Sequence, residues 1–226
     1  MAINKRGQGH IEVIISFALF AGFVTFILLF LRPSTKSVEI GLNSVENAVK
    51  SRIETNVSYF SVKIDRNDRN CFCFDSEYDV PEGIVVFNQD KEKVNSGKKN
   101  GEICIESNEG FFYVYVSDEF ANQGGIACQN QAIPEFGQLR NIKAVSYNKI
   151  ENFKEDYERN YNELKNSLGI AYYDFSVKFI DSIGQEIAGM EKSAPLGMPV
   201  YSRDNPVQIV YSDGNIKYGV MRVFVW

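Results

Sequence analysis

The feature that most constrains this chain is an apolar run near its start. Between Ile11 and Leu31 lie 21 residues, of which Glu12 alone is ionisable. A helix of that length, at 1.5 Å per residue, matches the hydrocarbon core of a bilayer, about 30 Å thick. No small-residue cleavage site follows the run, so it is expected to stay on the mature chain. The run therefore predicts a single transmembrane helix over residues 8–32.

A short motif precedes the run. Lys5-Arg6-Gly7-Gln8, followed by Glu12, resembles the class III leader of archaeal type IV pilin-like proteins. The resemblance implies that a prepilin peptidase cuts between Gly7 and Gln8 on the cytoplasmic side, so that residues 1–7 form a leader. It also implies a short cytoplasmic N-terminus, an extracellular C-terminal domain and assembly with other pilin-like subunits.

Glu12 is the one acid at the edge of the apolar run. A carboxylate buried at mid-helix costs about 2.5 to 3.5 kcal/mol on insertion scales, and less near a helix end, so it needs a partner. In the family that the leader resembles, this glutamate meets the N-terminal ammonium of a neighbouring subunit, which implies the same assembly role for Glu12. The alternative is a glutamate whose carboxylate reaches the bilayer interface.

One side of the predicted helix carries small residues. At 100° per residue, they fall within an arc of about 100°, opposite several phenylalanines. Small residues allow helix backbones to approach closely, so this arc is the predicted packing face between subunits. The alternative is an anchor that faces lipid and carries small residues by chance. The residues of the arc are Ala18, Ala21, Gly22 and Thr25.

Helical spacing continues after Pro33, but the pattern becomes amphipathic. Apolar residues recur at intervals of three, four or seven, which predicts a stem helix over residues 33–60. Pro33 is compatible with a kink or with the first turn of a new helix. The apolar residues are Val38, Leu42, Val45, Val49, Ile53 and Phe60.

Residues 61–226 are predicted to form a β-rich head. Phe111 to Val116 is β-prone, and apolar residues alternate with polar ones from Tyr173 to Phe179. Asp213-Gly214 marks a hairpin turn between two C-terminal strands. A helix of about five turns is predicted from Ile150 to Leu168, with a stop at Gly169. The predicted fold class is α+β: a long N-terminal helix followed by an antiparallel head with one further helix, as in type IV pilins.

The four cysteines are Cys71, Cys73, Cys104 and Cys128. In a strand, Cys71 and Cys73 point to the same face, so each is expected to pair with one of the two distant cysteines. This predicts two disulfides of undetermined connectivity. A four-cysteine zinc site is the alternative, although it usually contains two Cys-x-x-Cys motifs. Free buried thiols are the third possibility.

Asn56-Val57-Ser58 is a glycosylation sequon near the expected outer end of the stem. Asn56 is therefore a candidate acceptor for a glycan. The alternative is a polar residue on the solvated side of the helix.

Charge and composition argue against several classes of function. The formal net charge is −5 and residues 1–32 carry +2, so residues 33–226 carry −7, which disfavours binding to nucleic acid. His10 is the one histidine, so no histidine triad or histidine metal centre is expected beyond the apolar run. We predict no enzymatic activity, no cofactor and no metal.

Two functions fit the sequence best; a tethered hydrolase is the remaining alternative, although no residue pattern points to one. The first is a pilin-like structural subunit of a type IV pilus-like surface filament, with the bilayer, a prepilin peptidase and other subunits as partners. The second is a surface binding or adhesion protein, anchored in the membrane by one helix, that does not polymerise. Both place the chain in the cell membrane with its head outside.

Overall fold

The computed structural model describes residues 8–30, 35–65, 70–81, 83–121, 124, 126, 128 and 130–226. The helices are α1 Gln8–Phe30, α2 Thr35–Ile53, α3 Tyr147–Arg159 and α4 Tyr161–Ser167. The strands are β1 Glu54–Ile64, β2 Cys71–Phe74, β3 Ile84–Asn88, β4 Lys93–Lys99, β5 Glu102–Glu106, β6 Phe111–Val116, β7 Pro134–Phe136, β8 Arg140–Ser146, β9 Phe175–Asp181, β10 Glu186–Met190, β11 Tyr201–Val210 and β12 Ile216–Val225. The chain divides into two compact units, Met1–Gly41 and Leu42–Trp226. We call the second unit the body.

The body is built on one large sheet, not on the antiparallel, pilin-like head that we predicted. Twelve strands form it, in the order β10-β9-β12-β11-β8-β1-β6-β3-β4-β5-β2, with β7 paired to β1. Most neighbours are antiparallel, but β8 and β11 run parallel, which makes the sheet mixed. The predicted α+β pilin-like fold class is therefore wrong. Pairings between distant segments such as β8 and β11 have no local sequence signal, so the sequence did not predict one mixed sheet of twelve strands.

The structure also overturns the predicted single-pass membrane anchor. Helix α1 begins at Gln8 and ends at Phe30, within the predicted range 8–32. Among the residues that the structure describes, no helix combines the length and hydropathy needed to cross a membrane. The predicted transmembrane helix and the predicted place in the cell membrane are therefore not supported.

The stem helix is shorter than predicted. Helix α2 ends at Ile53, and β1 follows at once from Glu54 to Ile64. Asn56 and Phe60, assigned to the predicted stem at 33–60, therefore lie in a strand. The head predicted at 61–226 likewise begins earlier, because β1 is one of its central strands.

The predicted second helix is two helices. Helix α3 ends before Asn160, whose φ of −152° is extended, and α4 starts directly after it. The Asn160 side chain caps α4 by accepting a hydrogen bond from the Glu163 N–H, at 3.3 Å. The stop at Gly169 is confirmed: Gly169 has φ +70°, and Ile170 N–H donates to the Lys165 carbonyl.

The C-terminal hairpin is also confirmed. Strands β11 and β12 pair over ten positions, from Tyr201 with Val225 to Val210 with Ile216. Gly214 occupies the turn with φ +88°, and its N–H donates to the Tyr211 carbonyl. A Cβ at Gly214 would lie 2.3 Å from a Val85 methyl, so the turn also requires glycine for close packing on β3.

Strand β6 shows how the sheet separates its two faces. Its side chains alternate between half-buried and buried along Phe111–Val116. Phe112 and Val114 face a core that also contains Phe60 and Phe74, all fully buried. Tyr115 faces the opposite side, where it packs against a smaller cluster of buried residues.

Candidate functional site

The predicted processing site lies at the start of α1. Gly7 is outside the residues that the structure describes, whereas Gln8 is the first residue of the helix. Cleavage between Gly7 and Gln8 would therefore leave a chain that begins at the helix N-terminus. Processing itself remains a prediction.

Helix α1 exposes a large apolar surface. Eight of its apolar side chains each expose between 54% and 71% of their surface. Scattered apolar side chains are normal on a protein surface, but a contiguous apolar helix marks an interaction site. The eight are Val13, Ile14, Ile15, Phe17, Leu19, Phe20, Phe23 and Phe26.

The exposed area is close to what an interface requires. Four phenylalanines expose 55% to 71% of their side chains. Because an aromatic side chain presents about 150 to 250 Å², these four contribute about 500 Å². A stable interface buries about 800 Å² on each partner, and the aliphatic residues supply a good part of the remainder.

The other predicted assembly residues lie on the same exposed helix. Glu12 is exposed, as are Ala18, Gly22 and Thr25, while Ala21 is half-buried. A Cβ at Gly22 would have no neighbour within 4 Å, so that position is open to a partner. The Thr25 hydroxyl donates to the Ala21 carbonyl at 2.7 Å, so it presents no unpaired donor to a packing surface.

Comparisons with known protein families, curated proteins and solved structures found no match to this chain. Its function is therefore inferred from its own residues.

The four cysteines lie together at one end of the sheet. Cys71 pairs with Cys128, and Cys73 pairs with Cys104. Cys73 and Cys104 are direct cross-strand neighbours on β2 and β5, and both are buried. Of the three pairings that the sequence allowed, the structure has one in which each member of Cys71-x-Cys73 reaches a distant cysteine. All four sulfurs are used in these bonds, which leaves no thiolate for the alternative zinc site.

Asn56 lies on β1, opposite Lys143 of β8, and its side chain is exposed. Ser58 of the same sequon donates its hydroxyl to Asn141 at 2.6 Å. The acceptor amide is therefore accessible in the folded chain, although on a strand rather than on the predicted helix. Glycosylation itself remains a prediction.

A polar cluster that we did not predict fastens α4 to β9. Asp174 accepts hydrogen bonds from the Tyr161 hydroxyl at 2.9 Å and from Lys165 Nζ at 2.7 Å. The Tyr161 hydroxyl also accepts from the Phe175 N–H at 2.8 Å. Lys192 Nζ lies 3.2 Å from the Asp174 carboxylate and 4.0 Å from the centroid of the Tyr161 ring. These contacts join α4, β9 and the segment after β10. The i, i+4 spacing of Tyr161 and Lys165 was the one available signal in the sequence.

Burial and charge act in opposite directions on this cluster. Burial raises the pKa of Tyr161 well above its ordinary value, and it raises the pKa of Tyr157 to about 12. Burial alone would also raise the pKa of Asp174, but the hydrogen bonds from Lys165, Tyr161 and Lys192 outweigh it and hold that pKa below its ordinary value. The cluster therefore keeps neutral tyrosines around one ionised, paired carboxylate, which is an arrangement for fastening elements together.

A shallow cleft of about 750 Å³ lies beside this cluster, between the α3–α4 junction and β10. Its lining is polar and carries charges of both signs, including Glu158 and Arg159. The two carboxylates on the β10 side, Glu186 and Glu191, both pair with Lys178. The cleft thus lacks the mostly apolar lining that is typical of small-molecule sites.

Asp174→Asn should destabilise the body modestly and change its response to acid. The loss of a charged acceptor for Lys165 and Tyr161 is expected to lower the free energy of unfolding by about 1 kcal/mol at pH 7, because the carboxylate is partly exposed. A lowered pKa stabilises the fold above the ordinary Asp value and loses that contribution as the pH falls below about 4. Urea unfolding at pH 7 and pH 3 should show a smaller pH effect in the variant than in the wild type. An equal pH effect in both proteins would contradict this role.

Proposed function

We propose that this chain is a structural subunit of a filament, cut between Gly7 and Gln8 and assembled with other copies through α1. The observation that carries the proposal is the exposed apolar surface of α1, which a single chain leaves uncovered. A helix that is apolar on all sides is stable in water only when other surfaces cover it. Copies of the same helix can supply those surfaces, because Ala18, Gly22 and their neighbours allow close packing.

Assembly through α1 requires a positive charge beside Glu12. It is the one acid among the described side chains of α1. Packing it among apolar helices requires an opposite charge. Cleavage before Gln8 creates an ammonium group at the first residue of α1, and the ammonium of a neighbouring copy is the proposed partner. The resemblance of residues 5–8 to a prepilin leader supports this order of events.

The first experiment tests processing. Intact-mass measurement on the chain expressed with a prepilin peptidase should give a product that begins at Gln8. The same chain with Gly7→Ala should keep its first seven residues if the peptidase requires that glycine. A product that retains residues 1–7 in the wild type would contradict cleavage.

The second experiment tests assembly. Glu12→Gln in the mature chain should weaken self-association at least about tenfold, because the neighbouring ammonium loses its partner. Sedimentation in dilute detergent measures the change, and electron microscopy detects filaments. Glu39→Gln is the matched control, since Glu39 is an exposed acid on α2 and should associate as the wild type does. Association that is equal in both variants, or absent in the wild type, would refute the proposal.

A further inference from the structure

The body carries an uncharged, exposed segment that its own fold does not explain. Residues 194–201 read Ala-Pro-Leu-Gly-Met-Pro-Val-Tyr, and we call this segment the apolar turn. Leu196 is fully exposed at 106%, while Met198 and Val200 expose 50% and 47% of their surface. Consecutive exposed apolar residues carry an aggregation risk, so natural proteins keep them for a purpose.

The apolar turn is held in one shape. The Met198 N–H donates to the Pro195 carbonyl at 3.1 Å, which closes a four-residue β-turn. Gly197 has φ +84°, as the third residue of a type II turn requires, and Pro195 and Pro199 restrict the backbone on either side. Leu196 therefore stands at the tip of a preorganised turn, so a partner would lose little entropy in ordering it.

Both ends of the apolar turn are fastened to the sheet. Just before it, the Lys192 N–H donates to the buried Ser176 hydroxyl at 2.9 Å, and that hydroxyl donates to the Lys192 carbonyl at 3.2 Å. At its other end, Tyr201 pairs with Val225 in the β11–β12 ladder. The side chain of Lys192 also pairs with Asp174, so the polar cluster holds the base of the turn in place as well.

We propose that the apolar turn docks on a second copy of this chain within the assembly formed by α1. The inference rests on the proposed function and adds a contact between bodies. Residues 33–226 carry a net charge of −7, so two bodies repel one another overall, and a contact through an uncharged surface adds no further repulsion between like charges. The apolar turn is such a surface.

The position of the turn in the body agrees with this partner. Arg203, two residues after the turn, donates to Asn43 and lies 3.3 Å from the Glu46 carboxylate. These contacts place the start of β11 beside the first residues of the body. These residues are the part of the body that is nearest in sequence to α1, the segment through which the copies are proposed to assemble.

The double variant Leu196→Ser/Met198→Ser in the mature full chain tests the contact. It should weaken self-association about ten- to hundredfold, since two large apolar side chains lose their burial. At concentrations too low for association, its Tm should equal that of the wild type, because Leu196 is fully exposed and Met198 is half-exposed in the single chain. Ile183→Ser is the matched control, as Ile183 is 83% exposed on the β9–β10 turn and should leave association unchanged.

A cross-link identifies the occupant. In the purified, assembled chain, Leu196→p-benzoylphenylalanine should give, on irradiation, an adduct of twice the chain mass, whereas Ile183→p-benzoylphenylalanine should not. Wild-type association in the double variant, or cross-links confined to one chain or to detergent, would overturn the contact and leave assembly through α1 standing. If the unmodified chain does not associate at all, the proposed function fails together with this inference.

Discussion

Replacing both Cys73 and Cys104 by alanine is expected to lower the free energy of unfolding by about 4 kcal/mol. The bond closes a loop of 31 residues, and removing such a constraint gives the unfolded chain more conformations. Alanine is the better substitution because both sulfurs are buried, and a serine hydroxyl would need a hydrogen-bond partner there. Urea unfolding of the oxidised proteins measures the difference.

The second bond supplies the control for this prediction. Cys71–Cys128 encloses the same region within a separation of 57 residues, so the two loops are nested and their contributions should not add fully. A reductant should destabilise the wild type but leave a variant with alanine at all four positions unchanged. The same urea midpoint for the wild type and the Cys73→Ala/Cys104→Ala variant would show that this bond does not constrain the unfolded chain.

The cysteine pairing could be predicted from the sequence in part. The two-residue spacing of Cys71 and Cys73 puts both side chains on one face of a strand, which argued against a bond between them. Which distant cysteine each one meets depends on β2 lying beside β5, and β5 is 31 residues further along. That pairing is a property of the sheet and has no local signal.

Beyond the end of α2, the spacing of the apolar residues predicts a helix where the structure has a strand. Ile53, Val57 and Phe60 are all fully buried, and their spacing is that of a helix face. In the structure, only Ile53 is helical, whereas Val57 and Phe60 lie in β1. The β-branched and aromatic composition of residues 55–62 favours a strand, and it outweighs a periodicity that rests on two intervals.

The break between α3 and α4 at Asn160 is marked in the sequence by a helix-capping pair. The apolar spacing across the break nevertheless predicted one continuous helix. Tyr157, Tyr161 and Leu164 keep a helical period across the break, because α3 packs on β8 and β10 and Tyr161 of α4 contacts Phe175 of β9. Asn160, followed three residues later by Glu163, is a capping pair: the Asn160 amide donates to the Glu163 carboxylate at 2.8 Å. A cap inside an apolar pattern indicates a new helix start.

The candidate sites also differ in how much of each could be predicted from the sequence. The apolar character of α1 is visible in composition, so candidate assembly residues could be named from the sequence, although the membrane span that was predicted for them is not supported. The apolar turn can also be recognised in the sequence as an uncharged run with prolines on both sides of Leu-Gly-Met. The sequence does not show that this run is exposed, and without that information it cannot be distinguished from a core strand. The Asp174 cluster depends on bringing α4, β9 and Lys192 together, which only the fold determines.

Phe112→Ala should be among the most destabilising single changes in the body, with a loss of about 3 to 5 kcal/mol. Phe112 is fully buried on β6, and its ring centroid lies 5.6 Å from that of Phe72 across the core. Removing the ring leaves a cavity between strands that are held on both sides by hydrogen bonds, so the core has little freedom to collapse around it.

Phe111→Ala is the matched control, because it makes the same chemical change one residue away on the opposite face of the strand. Phe111 is half-buried and contacts Tyr113 edge to face, at 5.2 Å between ring centroids, so its loss should cost about 1 kcal/mol. Urea unfolding of both variants tests the register of β6 directly. Equal losses would contradict the difference in burial between the two rings. A larger loss at Phe111 would mean that β6 presents the other face to the core, and its register with β1 and β3 would then be wrong.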